Sequence, residues 1–591
     1  MTPLRVPAHS RSTVSGAVLA ALRGAGITDV FGVMGNGNVH FLDAVCTSDL
    51  RFTAVRHEAG GVAAADAYAR FTGRPGVATA TYGAGFTNTI TPLAEAVRAR
   101  TPLLLVAGDA PSTGLRGWDV DQVAMAAAAG ARTFVVDAST PGRTTIAALQ
   151  YAVDARTAVV LSLPHDVGAS PTSEDPDDVP SLQLRVPTDI DLPALEAAAD
   201  VLAGARTPLV LAGRGVRAAG AIVALTDLAD RLDADTCTTA PALGTFAGSP
   251  RDLGVAGGFS SPGTLRRIAA ADVVLVVGAG LNPFTTAYGS LFAPDAIVVQ
   301  IDDAPAATSA RVDVFVRGDA YEAVRQLDFL LAARRGPAAS AARRRTADWT
   351  PADPTTATGL PGTGEHARGD ALAPDGRLDP RSLFGRLDDL LPADRVIISD
   401  GGHFIGWAPM YLRVPSADRL VLVGTALQSI GLGLPSGVGV AVAAGRDEFV
   451  VVVSGDGGGL MALADLESLA RVTRRGVLIV VNDAAYGAEI HQFGAASLGL
   501  DETPMRIPEV DFAAFGAAVG CRSAVIRTLD DLAALSDFVD TDATGLLVLD
   551  CRVSEDVVAP YIAEMAHAAQ RLAEANRQDR GSDLAAAGTA G

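Results

Sequence analysis

The feature that most constrains the fold is the regular alternation of short aliphatic runs with helical segments along almost the whole chain. In the middle third, LVLAG (209–213), VVLVVG (273–278) and IVVQID (297–302) follow one another with helical stretches between them. Val- and Leu-rich runs of this length suit strands buried on both faces, which predicts parallel sheets covered by helices on each side. The pattern breaks at SPTSEDPDDVP (170–180), in a long segment poor in aliphatic residues (337–376), and after residue 575. The chain therefore divides into an N-terminal domain (1–180), a middle domain (186–335), a linker (336–378), a C-terminal domain (379–575) and a tail (576–591). Three doubly wound α/β domains also suit 591 residues, at roughly 100 to 200 residues per domain.

A formal charge of −20 argues against nucleic acid and anionic membrane as partners, because both repel an acidic surface. The expected partner is a small molecule. Cys46, Cys237, Cys521 and Cys551 are far apart and form no CxxC pair, which fits a reducing compartment and offers no thiolate metal site. The start, MTPLRVPAHSRS, lacks the apolar core of a signal peptide, and no run of about 18 apolar residues occurs elsewhere. A soluble cytoplasmic protein is expected.

Two stretches echo each other. GRPGVATATYGAGFTNTITPLAEAVRARTPLLLVAGDAP (73–111) and GRDEFVVVVSGDGGGLMALADLESLARVTRRGVLIVVNDAA (445–485) share a Gly-Arg start, a strand, a Gly-x-Gly turn, a helix and a second strand. Ala84 stands between the turn glycines of the first copy and Asp456 between those of the second, so only the second offers a cation ligand there. The expected order is a strand at 449–454, a helix at about 459–473 and a strand at 477–482. A right-handed crossover then brings Asp456 and Asp483 to the carboxyl edge of two parallel strands. On neighbouring strands, roughly 4.8 Å apart, two carboxylates repel unless a hard cation lies between them. Magnesium takes oxygen ligands and completes its shell with phosphate and water. Gly457, Gly458 and Gly459 supply bare backbone at a helix start, which favours phosphate. GDGGG lacks the Lys-Ser/Thr of a Walker A loop and the full dinucleotide fingerprint. Either aspartate alone reads more readily as a turn or capping residue; the pair with its glycines reverses that and reads as a magnesium diphosphate cradle.

With these residues the sequence resembles the thiamine diphosphate enzymes of the acetolactate synthase and pyruvate decarboxylase type. Their cofactor motif is GDG followed by an Asn pair, and GDG with Asn482-Asp483 is similar to it, with Asp483 where the second Asn is usual. The resemblance implies that the backbone carbonyl of Ala485 is the third metal ligand, and that Gly455, Tyr486 and His403 also lie against the cofactor. VRHEAGGVAAADAYARFTGRPGVATATYGAG (55–85) looks like the family's pyrimidine-binding segment, which places its catalytic glutamate at Glu58. LQSIGLGLPSGVGVA (427–441) looks like the segment whose apolar wedge, here Ile430, bends the cofactor, with Gln428 beside it. The implied domains are pyrimidine-binding, middle and diphosphate-binding. As an alternative, Glu58 is an ordinary carboxylate at a helix start, where the dipole welcomes it.

The family's chemistry, carried onto these residues, has Glu58 hydrogen-bond a ring nitrogen and promote an imino form. That group deprotonates the thiazolium carbon, and the ylide attacks a 2-oxo acid, the ring serving as electron sink to give a decarboxylated carbanion. Because Glu58 and the metal pair lie in different blocks, the resemblance implies a homodimer at least, or a tetramer. Substrate-facing positions match neither well-known member. Asn36 replaces the Asp of pyruvate decarboxylases and the Gly of acetolactate synthases, Gln122 matches the synthases' Gln, Glu489 matches a decarboxylase glutamate, and Gln492 replaces the synthases' Trp. Histidines His403 and His491 read as surface or cofactor-packing residues more readily than as proton shuttles.

In the middle block VVLVVGAGLNPFTT (273–286) partly meets the dinucleotide pattern, but Pro283 breaks it at the sixth position. Some family members hold FAD or ADP in this domain and others hold neither; the broken motif points to an empty domain. The leading expectation is a carboligase or lyase acting on a 2-oxo acid, with a carbonyl acceptor in the ligation case. The alternatives are a plain 2-oxo acid decarboxylase, and a flavin or nicotinamide oxidoreductase or non-catalytic subunit built on the middle domain.

Overall fold

The computed structural model describes residues 13–183, 187–343, 366–563 and 565. Its strands form three six-stranded sheets in which every pairing is parallel. The first runs Arg51–Ala54, Asp29–Gly32, Gly76–Ala80, Leu103–Asp109, Ala158–Pro164 and Arg132–Val135 across the sheet. The third runs Leu420–Leu422, Arg395–Ser399, Phe449–Gly455, Arg475–Asn482, Gly545–Arg552 and Arg522–Ile526. Counted within each domain, both orders are 2-1-3-4-6-5. The echo between 73–111 and 445–485 is thus one of topology: both segments supply the two central strands of a sheet. The middle sheet follows 3-2-1-4-5-6, the order of dinucleotide-binding folds.

Central strands such as Phe449–Gly455 are buried along their whole length, as expected for strands covered on both faces. The first and third domains share one hydrophobic core. Phe31, Val62 and Leu105 of the first join Val396, Val438 and Val452 of the third in a single cluster, while the middle domain keeps cores of its own. The contact runs through two helices, Glu58–Thr72 and Gly433–Ala443. They approach so closely that a Cβ on Gly439 would collide with the Ala64 carbonyl oxygen.

Two expectations need correction. The single helix at 459–473 is two, Asp456–Met461 and Asp465–Val472. It starts directly at the strand end and breaks where the Asp465 carboxylate turns aside to accept from the Arg56 N–H (2.9 Å) and the Ser468 hydroxyl (3.2 Å). The linker at 336–378 is folded at both described ends. Helix Ala320–Arg343 runs into it, and at 366–378 Leu378 is buried and the Ala367 carbonyl accepts from the Tyr411 hydroxyl at 3.0 Å. Residues 344–365 and the tail at 576–591 lie outside the described residues. Among the described residues no helix is long and apolar enough to cross a membrane, and all four cysteines are free.

The close helix crossing makes a direct prediction. Gly439→Val should lower stability by about 1 to 3 kcal/mol through overpacking, read as a drop in denaturation midpoint with an unchanged far-ultraviolet spectrum. An unchanged midpoint would mean that the crossing is looser than described.

Candidate active site

Strands Phe449–Gly455 and Arg475–Asn482 are direct neighbours in register, with Gly455 opposite Val481. The residues that follow them, Asp456 and Asp483, therefore leave the sheet side by side at its carboxyl edge. Both are buried. Asp456 Oδ1 accepts from its neighbour's N–H, that of Gly457, at 2.9 Å, whereas Oδ2 is buried with no hydrogen-bond partner. Asp483 Oδ1 accepts from the Ala485 N–H at 3.2 Å. Burial raises the Asp456 carboxyl above the usual range, against the pull of backbone N–H groups at Gly457, Ala484 and Ala485. Burial raises Asp483 further, and the charge of Asp456 adds to it. An orphaned carboxylate oxygen beside a second buried carboxylate is a pair that a hard cation would satisfy.

The backbone around the pair is shaped to leave space. Ala484 has φ of +60°, and its carbonyl accepts from Ile507 N–H while Tyr486 N–H donates to Met505. The Ala485 carbonyl stays outside that pairing. The Tyr486 ring packs where a Cβ on Gly457 would come within 2.7 Å. Since the Gly457 N–H is spent on Asp456, Gly458 offers the open N–H of this helix start. Asn482, adjacent in sequence, faces away: its amide donates to Val510 O at 3.0 Å and Asp550 Oδ1 at 2.8 Å. Asn482 Oδ1 is buried without a partner, but of the Asn-Asp pair only Asp483 borders the cavity with Asp456.

A cavity of about 1950 Å³ opens over this edge and continues to the middle domain. Asp456, Asp483, Gly455, Gly457, Gly458, Ala485, Tyr486 and Glu489 line it together with His403, Gln428, Ile430 and Gln492. Glu489 sits exposed in the first turn of helix Gly487–Phe493. His403 is buried, and burial and the nearby His491 lower its pKa to about 3. It is a neutral imidazole whose Nε2 accepts from the Ala559 N–H at 2.9 Å, which puts its proton on Nδ1. A charged shuttle role for His403 is therefore disfavoured by its surroundings.

The remaining expected residues form a second cluster on the first domain. Glu58 begins helix Glu58–Thr72 and its Oε2 accepts from Asn88 Nδ2 at 2.9 Å. Asn36 accepts from the Thr81 hydroxyl (3.0 Å) and donates to the Tyr82 hydroxyl (3.3 Å). Gln122 is buried, accepting from Gly83 N–H and donating to Gly108 O, both at 3.1 Å, so its amide is occupied in holding the turn that carries Gly83. None of the three lines the cavity that holds Asp456. Within one chain the expected site is in two halves.

Two groups escaped the sequence reading. Asp400 is fully buried and accepts from the backbone N–H groups of Gly401 (2.8 Å), Gly431 (3.0 Å) and Leu432 (3.2 Å), so it anchors the loop that carries Ile430. Burial raises its carboxyl to about 6 against those donors. Its sequence signal is the same as that of Asp456, an aspartate directly after a strand run (VIISDGG, 396–402). Tyr561 donates to Gly402 O (3.0 Å) and His403 O (2.8 Å); nothing near it in sequence marks it.

The raised carboxyls contribute a pH dependence to stability, measured without added metal or cofactor. A carboxyl whose folded pKa lies above its unfolded value keeps its proton longer in the native state, so stability falls as pH rises between the two values. The window runs from the ordinary carboxylate range, about 4, to about 8 for Asp483. Melting temperature should fall across that window, and Asp483→Asn should flatten the fall. A variant with the wild-type slope would show that the pair is not coupled.

Comparison with known proteins completes the picture. The chain matches the N-terminal TPP binding domain of thiamine pyrophosphate enzymes over residues 12–130, their central domain over 195–327 and their C-terminal TPP binding domain over 400–551. It is 28% identical over 585 residues to a sulfoacetaldehyde acetyltransferase of Roseovarius nubinhibens, covering 93% of this chain and 94% of that one. With the acetolactate synthase isozyme 2 large subunit of Escherichia coli it shares 30% identity over 466 residues, 77% of this chain and 80% of the relative. The solved thiamine diphosphate-dependent 4-hydroxybenzoylformate decarboxylase of Rhodococcus jostii RHA1 has the same fold, with a TM-score of 0.75 at 21% identity over 92% of this chain and 99% of that one. The three matched domains and the paired-sheet architecture make this chain a member of the thiamine pyrophosphate enzyme family, an enzyme that forms or cleaves carbon–carbon bonds with that cofactor.

Proposed function

We propose that the protein is a magnesium- and thiamine diphosphate-dependent carboligase or lyase acting on a 2-oxo acid. The observation that carries this reading is the buried, unpartnered Oδ2 of Asp456 beside the buried carboxylate of Asp483. Asp456, Asp483 and the Ala485 carbonyl hold the divalent ion, and the Gly458 N–H faces the diphosphate. Ile430 supports the bent cofactor, and Glu58 holds a proton at its aminopyrimidine. The bound thiazolium supplies an electron sink beside the substrate carbonyl. Anchoring by the remote diphosphate lets binding energy be used for orientation at the reacting end.

The two halves of the site support an assembly of at least two copies, in which the Glu58 edge of one chain meets the cavity of another. Exposed apolar side chains flank both halves. Met34, Leu115 and Trp118 lie beside the Asn36 and Gly83 turns; Met461, Leu498 and Leu500 lie near Gly431 and after helix Gly487–Phe493. Exposed apolar groups gathered at such positions suit an interface. Ligation is preferred over simple decarboxylation because the two curated relatives above carry transferase and synthase names.

Asp456→Ala should abolish magnesium-dependent binding of thiamine diphosphate with the fold intact, a loss of about 3 to 5 kcal/mol if one partner of a buried charge arrangement is removed. Calorimetry with thiamine diphosphate and Mg²⁺ reads it, and unchanged affinity would remove the metal-site reading. The Glu489 carboxylate makes no hydrogen bond or ion pair among the described residues and lines the cavity, so it is placed to give a proton to a reacting substrate. Incubation of one 2-oxo acid with and without an acceptor aldehyde or keto acid tests the reaction. Ligation product is expected from wild type, and Glu489→Gln should lower the share of released aldehyde. Aldehyde alone from the wild type under both conditions would establish the decarboxylase instead.

A further inference from the structure

The loop that carries Gln428 and Ile430 is held from outside its own domain. Between strand Leu420–Leu422 and helix Gly433–Ala443 the chain forms no regular structure, and Gly424, Gln428 and Gly431 all have positive φ. Its carboxyl end is fixed by Asp400, as described above. Its amino end is fixed by the first domain. Glu95, fully buried in helix Ile90–Arg98, accepts from Leu427 N–H at 2.7 Å and Ala426 N–H at 3.3 Å. Arg70 donates to the Leu422 carbonyl at 2.8 Å.

The charges make this tie hard to replace. The Arg70 guanidinium pairs with both Asp66 (2.6 Å) and Glu95 (3.0 Å), and all three side chains are largely shielded from water. One guanidinium bridges the two carboxylates, with the buried Arg214 near Asp66 and Arg70 as well. The two loop N–H donors are what Glu95 has left to satisfy it. A buried carboxylate deprived of its donors costs far more than a surface one, so a shift of residues 426 and 427 is penalised by a group in another domain. Ile430 lies three residues beyond this anchor and one before the Asp400 anchor.

We infer that Glu95, backed by Arg70, is a positioning residue for the Ile430 wedge. The inference rests on the reading of Ile430 as the side chain that supports the bent cofactor. Glu95 touches neither cofactor nor substrate; it acts through the loop backbone. Its neighbour Arg70 also borders the cavity.

The test uses the full-length protein loaded with thiamine diphosphate and Mg²⁺, and follows hydrogen–deuterium exchange at the cofactor's reactive carbon by NMR. Glu95→Gln removes the carboxylate's charge and presents an amide to the loop donors. Exchange should slow about tenfold, the scale on which small misplacements act, while cofactor affinity changes less than about threefold. Amide exchange of residues 422–431, read by mass spectrometry, should quicken in the same variant. Ile430→Ala alone should slow exchange at the carbon, and the double variant should be no slower than Ile430→Ala, because coupled residues are not additive. Wild-type exchange in Glu95→Gln, or losses that multiply in the double variant, would overturn the inference. Wild-type exchange in Ile430→Ala would overturn the wedge reading and the inference with it, while measured cofactor retention would still stand as the separate test of the proposed function. If Glu95→Gln does not fold, Glu95→Asp keeps the charge for Arg70 but withdraws it from the loop, and the same slowing is expected.

Discussion

Two carboxylates at the ends of adjacent parallel strands are an electrostatic problem that the rest of the site is arranged around. Asp456 and Asp483 are close because Gly455 and Val481 are register partners, and both are buried although they border the cavity. Neither arginine nor lysine reaches them among the described hydrogen bonds and ion pairs; the charges are met only by backbone N–H groups. Such an arrangement suits an external cation better than it suits the empty protein. The replacement of the family's usual Asn by Asp483 sharpens the problem, since it adds a second full charge where a neutral amide would have sufficed.

Loop anchoring follows a related logic. Asp400 ends the strand beside Phe449–Gly455 and uses its buried carboxylate to gather backbone donors from the loop after Gly424. Glu95 does the same from the first domain. In both cases a buried charge is tolerated because it is fully hydrogen-bonded, and that requirement makes the loop geometry narrow. The difference between these anchors and Asp456 is one of satisfaction. Asp400 has its donors, while Asp456 keeps one oxygen without any.

How much of this is legible in the sequence depends on whether the signal is local. The parallel sheets show in runs such as VVLVVG, and the partnership of Asp456 with Asp483 shows because a crossover of known hand links two consecutive runs. Glu58 is legible as a helix-starting carboxylate. Asp400 shares the local pattern of Asp456, but without a second carboxylate 27 positions on it looks like any turn residue. Glu95 and Tyr561 are not legible, because their partners lie 332 and 159 residues away. The segment 366–378 reads as linker because it is poor in aliphatic residues; it folds through backbone and tyrosine contacts that leave no periodic trace.

The shared core gives the division of the site its physical basis. The first and third domains are joined by one hydrophobic cluster and by a helix crossing too close for any side chain on Gly439, so they are not free to turn their carboxyl edges toward one another. Helix Glu58–Thr72 shows the consequence. Its first residue belongs to the Glu58 half of the site, while Arg70, twelve residues on and about 18 Å along the axis at 1.5 Å per residue, grips the loop of the other half. One rigid element thus serves two edges that the single chain keeps apart. In the assembly proposed above, the same packing that prevents a chain from completing its own site presents both halves outward to a second copy.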